Sequence, residues 1–362
     1  MINSERLVNT FLELVDIDSP SGHEEAISAH LAERLAGLGG EVARDEHGNL
    51  VARWASADGR SDWLMLSAHM DTVGTDTNIK PQIRDGVIYS DGTTILGGDD
   101  KSGVAVILEV VEVARERDLP HPPLEVVLSV SEETGLRGAR LLDKSQLRAR
   151  SGYVLDSGGP IGTIVVSAPS QDTLQITVHG KKAHAGSEPE KGINAIRVAS
   201  EAIAVMPLGR IDSETTANIG IIEGGTATNI VPDEVRIRGE ARSRDDLKLA
   251  TQTAAMAQAF QDAAERNGAR VELKIKRSYS TYALTVETPV VARAMRAAEQ
   301  LGFEPRLKAS GGGTDANIYA ELGIECAVLS TGQAEVHTTN EHIAIADMVD
   351  SARWLWNILE RG

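Results

Sequence analysis

Cysteine is nearly absent from the chain, since Cys326 is the only one among 362 residues. A single thiol cannot form an intrachain disulfide, and it cannot build a zinc site of several cysteines. Any metal ion must therefore be held by histidine and carboxylate side chains. Aromatic residues are also scarce, at 3% of the chain, so we expect an aliphatic core. Hydrophobic residues still make up 41%, which is enough for a folded protein and excludes a largely disordered chain.

Basic residues are outnumbered, because 36 lysines and arginines face 53 aspartates and glutamates, for a formal net charge of −17. Such a chain repels phosphate backbones, so we expect no nucleic-acid partner. No apolar stretch approaches the ~18 residues that indicate a membrane span. The opening residues, MINSER, also do not resemble a secretory signal. These features predict a cytoplasmic protein that binds neither nucleic acid nor membrane.

Helical and strand-like patterns alternate through the first 165 residues and return near the end of the chain. Short apolar runs that predict buried strands lie at 64–66, 126–128, 153–155 and 327–329. Amphipathic or apolar runs that predict helices lie at 4–17, 24–38, 103–115, 289–301 and 345–359. Continuous apolar strands that alternate with helices indicate an α/β sheet covered on both faces. The pairs Asp85-Gly86 and Asp91-Gly92 predict a hairpin near 83–93.

The middle of the chain follows a different pattern. Its predicted elements, in order, are a strand at 173–178, a helix at 192–205, strands at 217–223 and 234–241, a helix at 245–266 and a strand at 270–276. The order βαββαβ is that of a ferredoxin-like α+β domain. We therefore predict one α/β domain, formed by residues 1–168 and 284–362, with a smaller domain at 169–283 inserted into it.

Potential metal ligands follow the predicted buried strands or begin a predicted helix. They are His69, Asp71, Asp99, Asp100, Glu132, Glu133, Asp156 and His337. Ligands of open α/β sheets bind outside the carboxyl ends of the strands, which is where these side chains would gather. Two histidines and several carboxylates suit Zn²⁺ or a similar divalent ion.

Each candidate, taken alone, also has a simpler explanation. Asp99 and Asp100 could cap a helix, His69 could be a hydrogen-bonded core histidine, and the others could be loop or turn residues. Their shared position at strand ends of one domain favours a metal site. Two ions that share one carboxylate would leave room for a bridging water, which a nearby carboxylate could deprotonate. Spacing alone does not decide which of Glu132 and Glu133 would be that base.

Three segments together resemble the dizinc aminopeptidase/carboxypeptidase superfamily, which includes peptidase T, glutamate carboxypeptidases, carnosinase-type dipeptidases and aminoacylases. They are SAHMDTV at 67–73, LGGDDKSG at 96–103 and SEETG at 131–135. The resemblance covers essentially the whole chain. It is nearest to the peptidase T-like branch, because residues 94–98 read TILGG where many relatives have Gly-Arg-Gly before the aspartate.

The resemblance implies a zinc-peptidase fold, with a mixed, largely parallel sheet sandwiched by helices and an inserted ferredoxin-like lid domain. It also implies two Zn²⁺ ions, for which Co²⁺ or Mn²⁺ could substitute. Asp99 would bridge the two ions. His69 and Asp156 would complete one site, and Glu133 and His337 would complete the other.

The resemblance further implies three catalytic roles outside the metal ligands. Glu132 would be the general base that takes a proton from water and passes it to the leaving amine. Asp71 would orient the metal-binding imidazole that precedes it. His184 would help to stabilise the developing oxyanion, and in dimeric relatives this histidine comes from the partner subunit. The peptide bond between Asp99 and Asp100 would be cis, as it is in relatives.

Three residues resemble positions near the substrate in relatives, namely Asn229, Arg242 and Gly312. Arg242 could pair with a substrate carboxylate as a bidentate fork. Without the resemblance, Arg242 would be interpreted as a solvated strand residue and His184 as a surface histidine at a strand end. The lid domain would also form the two-fold interface of a homodimer.

The leading hypothesis is a metal-dependent peptidase that hydrolyses short peptides, similar to a tripeptide aminopeptidase. An N-acyl-amino-acid amidohydrolase or a dipeptidase of the same superfamily is the alternative within enzymes. A non-catalytic peptide- or metal-binding protein on the same scaffold is a third hypothesis. It is disfavoured because degenerate relatives should lose ligands or the base, and here every matching position is filled.

Overall fold

A computed structural model describes residues 2–56, 60–117 and 121–360. The chain divides into two compact units, each with its own hydrophobic core. Unit 1 comprises Met1–Ser167, Ala283–Ser310 and Thr314–Gly362, and unit 2 comprises Ala168–Tyr282 and Gly311–Gly313. No helix within the described ranges combines the length and the apolarity needed to cross a membrane.

The α-helices are α1 (Ser4–Val15), α2 (Glu25–Gly37), α3 (Gly98–Arg117), α4 (Arg137–Leu141), α5 (Ala195–Val205), α6 (Asp246–Asn267), α7 (Pro289–Gln300), α8 (Asp315–Glu321) and α9 (Ile345–Glu360). Single turns of 3₁₀-helix lie at Lys144–Gln146 and Pro189–Lys191.

The strands are β1 (Glu41–Arg44), β2 (Leu50–Trp54), β3 (Leu64–His69), β4 (Gln82–Arg84), β5 (Val87–Tyr89), β6 (Leu124–Ser129), β7 (Ser151–Ser157), β8 (Thr163–Ala168), β9 (Ser170–His179), β10 (Gly209–Arg210), β11 (Thr215–Gly224), β12 (Glu234–Ser243), β13 (Arg270–Tyr279), β14 (Tyr282–Ala283), β15 (Arg306–Ala309), β16 (Glu325–Ser330), β17 (Gln333–Ala334) and β18 (His342–Ala344).

The large sheet of unit 1 has the order β1-β2-β6-β3-β7-β16-β8, and β15 also pairs with β8. The central strand β3 runs parallel to both β6 and β7, and β16 runs parallel to β7. Antiparallel pairs join β1 to β2, β2 to β6 and β16 to β8. The predicted mixed, largely parallel sheet is therefore confirmed.

Burial on both faces explains why the central strands are continuous apolar runs rather than alternating ones. Every residue of β3 and of β6 is buried. Helix α3 packs against β3 and β7, and its first turns are also buried almost throughout. The core around it is mainly aliphatic, as the scarcity of aromatic residues predicts.

The predicted hairpin is present as β4 and β5. Its two turn residues, Asp85 and Gly86, have φ angles of 50° and 78°. Positive φ at both central positions is the geometry of a tight two-residue hairpin turn, which aspartate tolerates and glycine adopts without strain. Strand β5 also pairs with β18, which lies far away in the chain and was not predicted.

Unit 2 has the predicted ferredoxin-like element order, with the antiparallel strand order β11-β12-β9-β13 and the short β10 added beside β11. Strand β9 alternates buried and less buried residues along its whole length. This period of two places Leu174, Ile176 and Val178 in the core with residues of α5 and α6.

Several short elements escaped prediction because they carry too few residues for a periodic pattern. Helix α8 is one example, with only seven residues. Its start is fixed by a capping box, in which Thr314 Oγ1 accepts from the Ala316 N–H and Asn317 Oδ1 accepts from the Thr314 N–H. The predicted helix at 4–17 ends two residues earlier, at Val15.

Candidate metal centre

The parallel strands of unit 1 bring the predicted ligands to one edge of the sheet. His69 is the last residue of β3, and Asp156 lies near the end of the neighbouring β7. Glu133 follows β6, whose last residue pairs with His69. Asp99 lies in the first turn of α3, where its φ and ψ are not helical, and His337 follows β17.

Two groups of side chains meet at Asp99. His69 Nε2 lies 3.3 Å from Asp99 Oδ1 and 4.0 Å from Asp156 Oδ1. His337 Nε2 lies 3.2 Å from Asp99 Oδ2 and 2.8 Å from Glu133 Oε1. Each imidazole therefore faces a different oxygen of the same carboxylate, which is the arrangement of a bridging ligand.

The distances from Asp99 to the two imidazoles, 3.3 and 3.2 Å, are close to those between ligand atoms around a divalent cation. Tetrahedral coordination at about 2.0–2.2 Å places neighbouring ligand atoms about 3.3–3.6 Å apart. His69 Nδ1 lies 2.9 Å from the main-chain oxygen of Asp71, which can only accept, so Nδ1 carries the hydrogen. In the neutral ring, the lone pair of Nε2 then faces the carboxylate of Asp99. A cation between them would turn this repulsion into attraction.

Asp71 is buried and ties two parts of the site together. Its Oδ2 accepts from Ser21 Oγ at 2.6 Å and from the Glu133 N–H at 3.2 Å, and its Oδ1 accepts from the Glu132 N–H at 3.0 Å. Oδ1 also lies 3.4 Å from His69 Nδ1. Burial would raise the pKa of Asp71, but the contacts with His69 and Ser21 lower it. The Asp71 carboxylate therefore holds the main chain of Glu132 and Glu133, whereas the hydrogen bond from His69 Nδ1 goes to the main-chain oxygen of Asp71. The predicted role of the carboxylate in orienting the imidazole stays a prediction.

The metal-free protein holds protons where cations would bind. Hydrogen bonds to Asp99 and Glu133 raise the pKa of His337 to about 10. Burial disfavours the charged form of His69, but the carboxylates of Asp71 and Asp99 outweigh it and raise its pKa well above the ordinary value. Burial also opposes ionisation of Asp99, yet the two imidazoles lower its pKa.

Negative charge is concentrated at this edge of the sheet. Burial raises the pKa of Glu132 well above its ordinary value, and the side chain is only 9% exposed. Burial and the charge of Asp99 do the same to the pKa of Asp156. A cation would relieve this repulsion and allow the carboxylates to ionise. A buried glutamate whose pKa is raised also suits proton transfer near neutral pH.

Glu24 supports the loop that carries Glu132 and was not found from the sequence. Its Oε1 accepts from the Ser131 N–H, from Ser131 Oγ and from the Gly22 N–H, each at 2.9 Å. Ser131 has a φ of 53°, an unusual conformation for a residue with a side chain. Glu24 is the first residue of the predicted helix at 24–38, so its sequence position indicated only a helix start.

Asp99 has two further buried neighbours that the sequence analysis missed. Gln333 Nε2 donates to Asp99 Oδ1 at 3.2 Å. Glu341 accepts from the main-chain N–H groups of Leu96, Gly97 and Asp99. The one signal in the sequence is their spacing, since Gln333 lies four residues before His337 and Glu341 lies four residues after it. The peptide bond that follows Asp99 is cis, as the resemblance predicted.

The four predicted residues outside unit 1 are His184, Asn229, Arg242 and Gly312. His184 is exposed, and its Nδ1 accepts from two main-chain N–H groups at 3.1 Å, so the neutral ring carries its hydrogen on Nε2. The main-chain oxygen of Asn229 accepts from the N–H that follows His184. Arg242 pairs through its fork with Glu240, at 2.9 and 3.0 Å. Their roles in binding and catalysis stay predictions.

Comparison with known proteins finds sequences and folds similar to this chain among peptidases. The family model for peptidase family M20/M25/M40 matches residues 65–361. The crystal structure of aminopeptidase PepT from Bacillus cereus is 46% identical, with a TM-score of 0.88 over 99% of this chain and 98% of that one. A tripeptidase structure from Staphylococcus aureus is 42% identical, with a TM-score of 0.93 over the same shares. The protein YqjE of Bacillus subtilis is 44% identical over 368 residues, 99% of either chain.

Proposed function

The chain belongs to peptidase family M20/M25/M40, and from this premise we propose that it is a dinuclear metallopeptidase that removes the first residue of tripeptides. The names of two similar structures, an aminopeptidase and a tripeptidase, support this substrate class. The observation that carries the proposal is the carboxylate of Asp99, which presents one oxygen to His69 and the other to His337.

Five side chains of unit 1 would hold the two ions. Asp99 would be shared, His69 and Asp156 would complete one site, and Glu133 and His337 would complete the other. A bound divalent cation of this kind polarises a peptide carbonyl and lowers the pKa of a water molecule. The mixture of imidazole and carboxylate donors favours Zn²⁺, and Co²⁺ or Mn²⁺ would also fit.

Glu132 would act as the general base. The contact of Glu133 Oε1 with His337 supports the ligand role for Glu133, and the carboxylate of Glu132 would then serve in proton transfer. That carboxylate would take a proton from the attacking water and pass it to the nitrogen of the leaving amine. Asp71 accepts from the main-chain N–H of Glu132, and Glu24 accepts from that of the preceding Ser131. These two contacts would keep the Glu132 side chain pointing in one direction.

Unit 2 would be the lid of the enzyme, and unit 1 its catalytic domain. His184 presents an Nε2–H that can donate to a developing oxyanion, because its Nδ1 is already an acceptor. Arg242, with Asn229 and Gly312, would contact the substrate, and Glu240 would keep the guanidinium plane in one orientation. We include in this proposal a homodimer formed through the lid and a cytoplasmic location.

The test is a digest of defined substrates by the Zn²⁺-loaded protein, read by mass spectrometry. The panel contains tripeptides, the same tripeptides with an acetylated amino terminus, dipeptides and N-acyl-amino acids. We expect the free tripeptides to lose their first residue and acetylation to block this. The Glu132→Gln variant, purified in parallel, should be inactive on every substrate. Turnover of N-acyl-amino acids alone would replace the proposal with an amidohydrolase, and metal binding without any turnover would indicate a binding protein.

A further inference from the structure

Glu341 is a buried carboxylate, 1% exposed, that belongs to neither predicted ligand set. Its two oxygens accept three main-chain hydrogen bonds from residues about 240 positions earlier in the chain. We propose that Glu341 is a positioning residue that locks the loop bearing Asp99 to the loop bearing His337. The inference rests on the proposed metallopeptidase function, because both loops would then carry ligands of the same ion.

The contact with the Asp99 loop uses the whole carboxylate. Oε2 accepts from the N–H groups of Leu96 and Gly97 at 2.8 and 2.9 Å, and Oε1 accepts from the Asp99 N–H at 3.0 Å. One side chain therefore satisfies three main-chain donors of the same loop. The main chain on both sides of Gly98 is therefore fixed, and with it the direction in which the Asp99 side chain leaves the backbone.

A short turn links Glu341 to His337. Glu341 stands four residues after His337, and its own N–H donates to the Thr338 oxygen at 3.1 Å. Gln333, four residues before His337, donates to Asp99 Oδ1. Residues on both sides of His337 thus contact the Asp99 loop through their side chains. Glu341 contacts the main chain of that loop, and Gln333 contacts the Asp99 carboxylate. A shift of either loop would move both ligands together.

Gly98 allows the carboxylate to come this close. A Cβ atom built at Gly98 would lie 3.2 Å from Glu341 Oε1, which is tighter than ordinary van der Waals contact. An added methyl group would therefore displace Glu341 by a few tenths of an ångström without removing any hydrogen-bonding group. The pair of glycines at 97–98 lets the loop wrap around the carboxylate, and Gly98→Ala is a second, milder perturbation of the same contact.

The experiment compares Glu341→Gln with a matched control, Glu125→Gln. Glu125 is also fully buried in unit 1 and also accepts main-chain N–H groups, from Arg148 and Ala149, but it lies at the start of β6, away from the ligands. Each protein is stripped of metal, its thermal midpoint is recorded, and its Zn²⁺ affinity and stoichiometry are measured by competition with a chromophoric chelator. Both variants should lower the thermal midpoint.

Of these two variants, only Glu341→Gln should bind Zn²⁺ more weakly, by about 10–100-fold at one of its two sites, as is common when a supporting partner of a ligand is lost. Gly98→Ala should show a smaller loss with a metal-free midpoint near that of the wild type, and it decides the question if Glu341→Gln does not fold. Wild-type affinity in both variants, or an equal loss in Glu125→Gln, would overturn the inference. A wild-type protein that binds no divalent cation would overturn the proposed metallopeptidase function itself.

Discussion

Replacing Glu132 by glutamine is expected to stop turnover while leaving the metal content unchanged. The substitution keeps the size and shape of the side chain but removes the group that would accept a proton. The loop should persist, because its main chain is held by other residues. The Glu132 N–H donates to Asp71 Oδ1, and Ser131 is held by Glu24.

The expected size of the effect follows from the burial of this carboxylate. A positioned general base contributes about 10²–10⁴-fold to a rate, which corresponds to about 2.7–5.4 kcal/mol of activation free energy. Glu132 is only 9% exposed, so bulk water and buffer have little access to replace it. We therefore expect the upper half of that range, a loss in kcat of at least ~10³-fold. KM should change little, because the proton moves only in the chemical step.

Glu133→Gln is the matched control, since it removes the same charge one residue later. Glu133 Oε1 lies 2.8 Å from His337 Nε2, so its loss should weaken one metal site instead. The assay measures kcat and KM on a tripeptide, together with metal content after gel filtration. We expect two equivalents and almost no turnover for Glu132→Gln, and fewer than two equivalents for Glu133→Gln. The reverse pair of phenotypes would refute the assignment of base and ligand.

Four other outcomes are expected. Removing metal with a chelator should abolish turnover, and two equivalents of Zn²⁺ per chain should restore it; saturation at one equivalent would contradict the two-ion site. Zn²⁺ binding at pH 7.5 should release protons, because the raised pKa of His337, about 10, keeps its imidazole charged in the metal-free protein. The charged imidazole stabilises the metal-free protein fully below the ordinary imidazole pKa, and this stabilisation is lost as the pH rises through about 10. Zn²⁺ affinity should therefore increase over that range, because fewer protons have to leave His337. Identical calorimetric enthalpies in buffers of different ionisation enthalpy would argue against proton release. Mixing His184→Ala protein with Glu132→Gln protein should recover part of the activity if the lid histidine acts on the partner subunit, and no recovery despite subunit exchange would exclude this. Glu109→Gln should lower the free energy of unfolding by about 1–3 kcal/mol in denaturant titrations, because the buried Glu109 accepts from Arg6, and an unchanged midpoint would contradict this.

The main elements of the fold could be predicted because their sequence patterns are long. The buried strands of the large sheet are continuous apolar runs, and the alternation in β9 continues for ten residues. Short pieces such as β17 and β18 contain two or three residues, too few to show a period. The pairing of β18 with β5 joins residues about 250 positions apart, for which a single sequence carries no local signal.

The candidate ligands could be named for a similar reason. Each of them follows an apolar strand or begins a helix, and parallel strands place such positions at one edge of a sheet. The supporting residues could not be named. Glu24, Gln333 and Glu341 contact main-chain N–H groups or a ligand carboxylate from distant parts of the chain. Every residue except proline has a main-chain N–H. The type of the donor residue therefore does not reveal which distant side chain accepts the hydrogen bond.

The two adjacent glutamates, Glu132 and Glu133, separate what the residue pattern can predict from what depends on the folded chain. Residue types and their positions at strand ends already predict a cluster of histidines and carboxylates, and they favour a divalent cation as its ligand. They do not determine whether Glu132 or Glu133 faces His337. That choice depends on the path of the main chain through the turn, where Ser131 has a positive φ. The turn is held in this path because its main-chain N–H groups donate to Glu24 and Asp71. These acceptors lie 107 and 61 positions earlier in the chain, and only folding brings them to the turn.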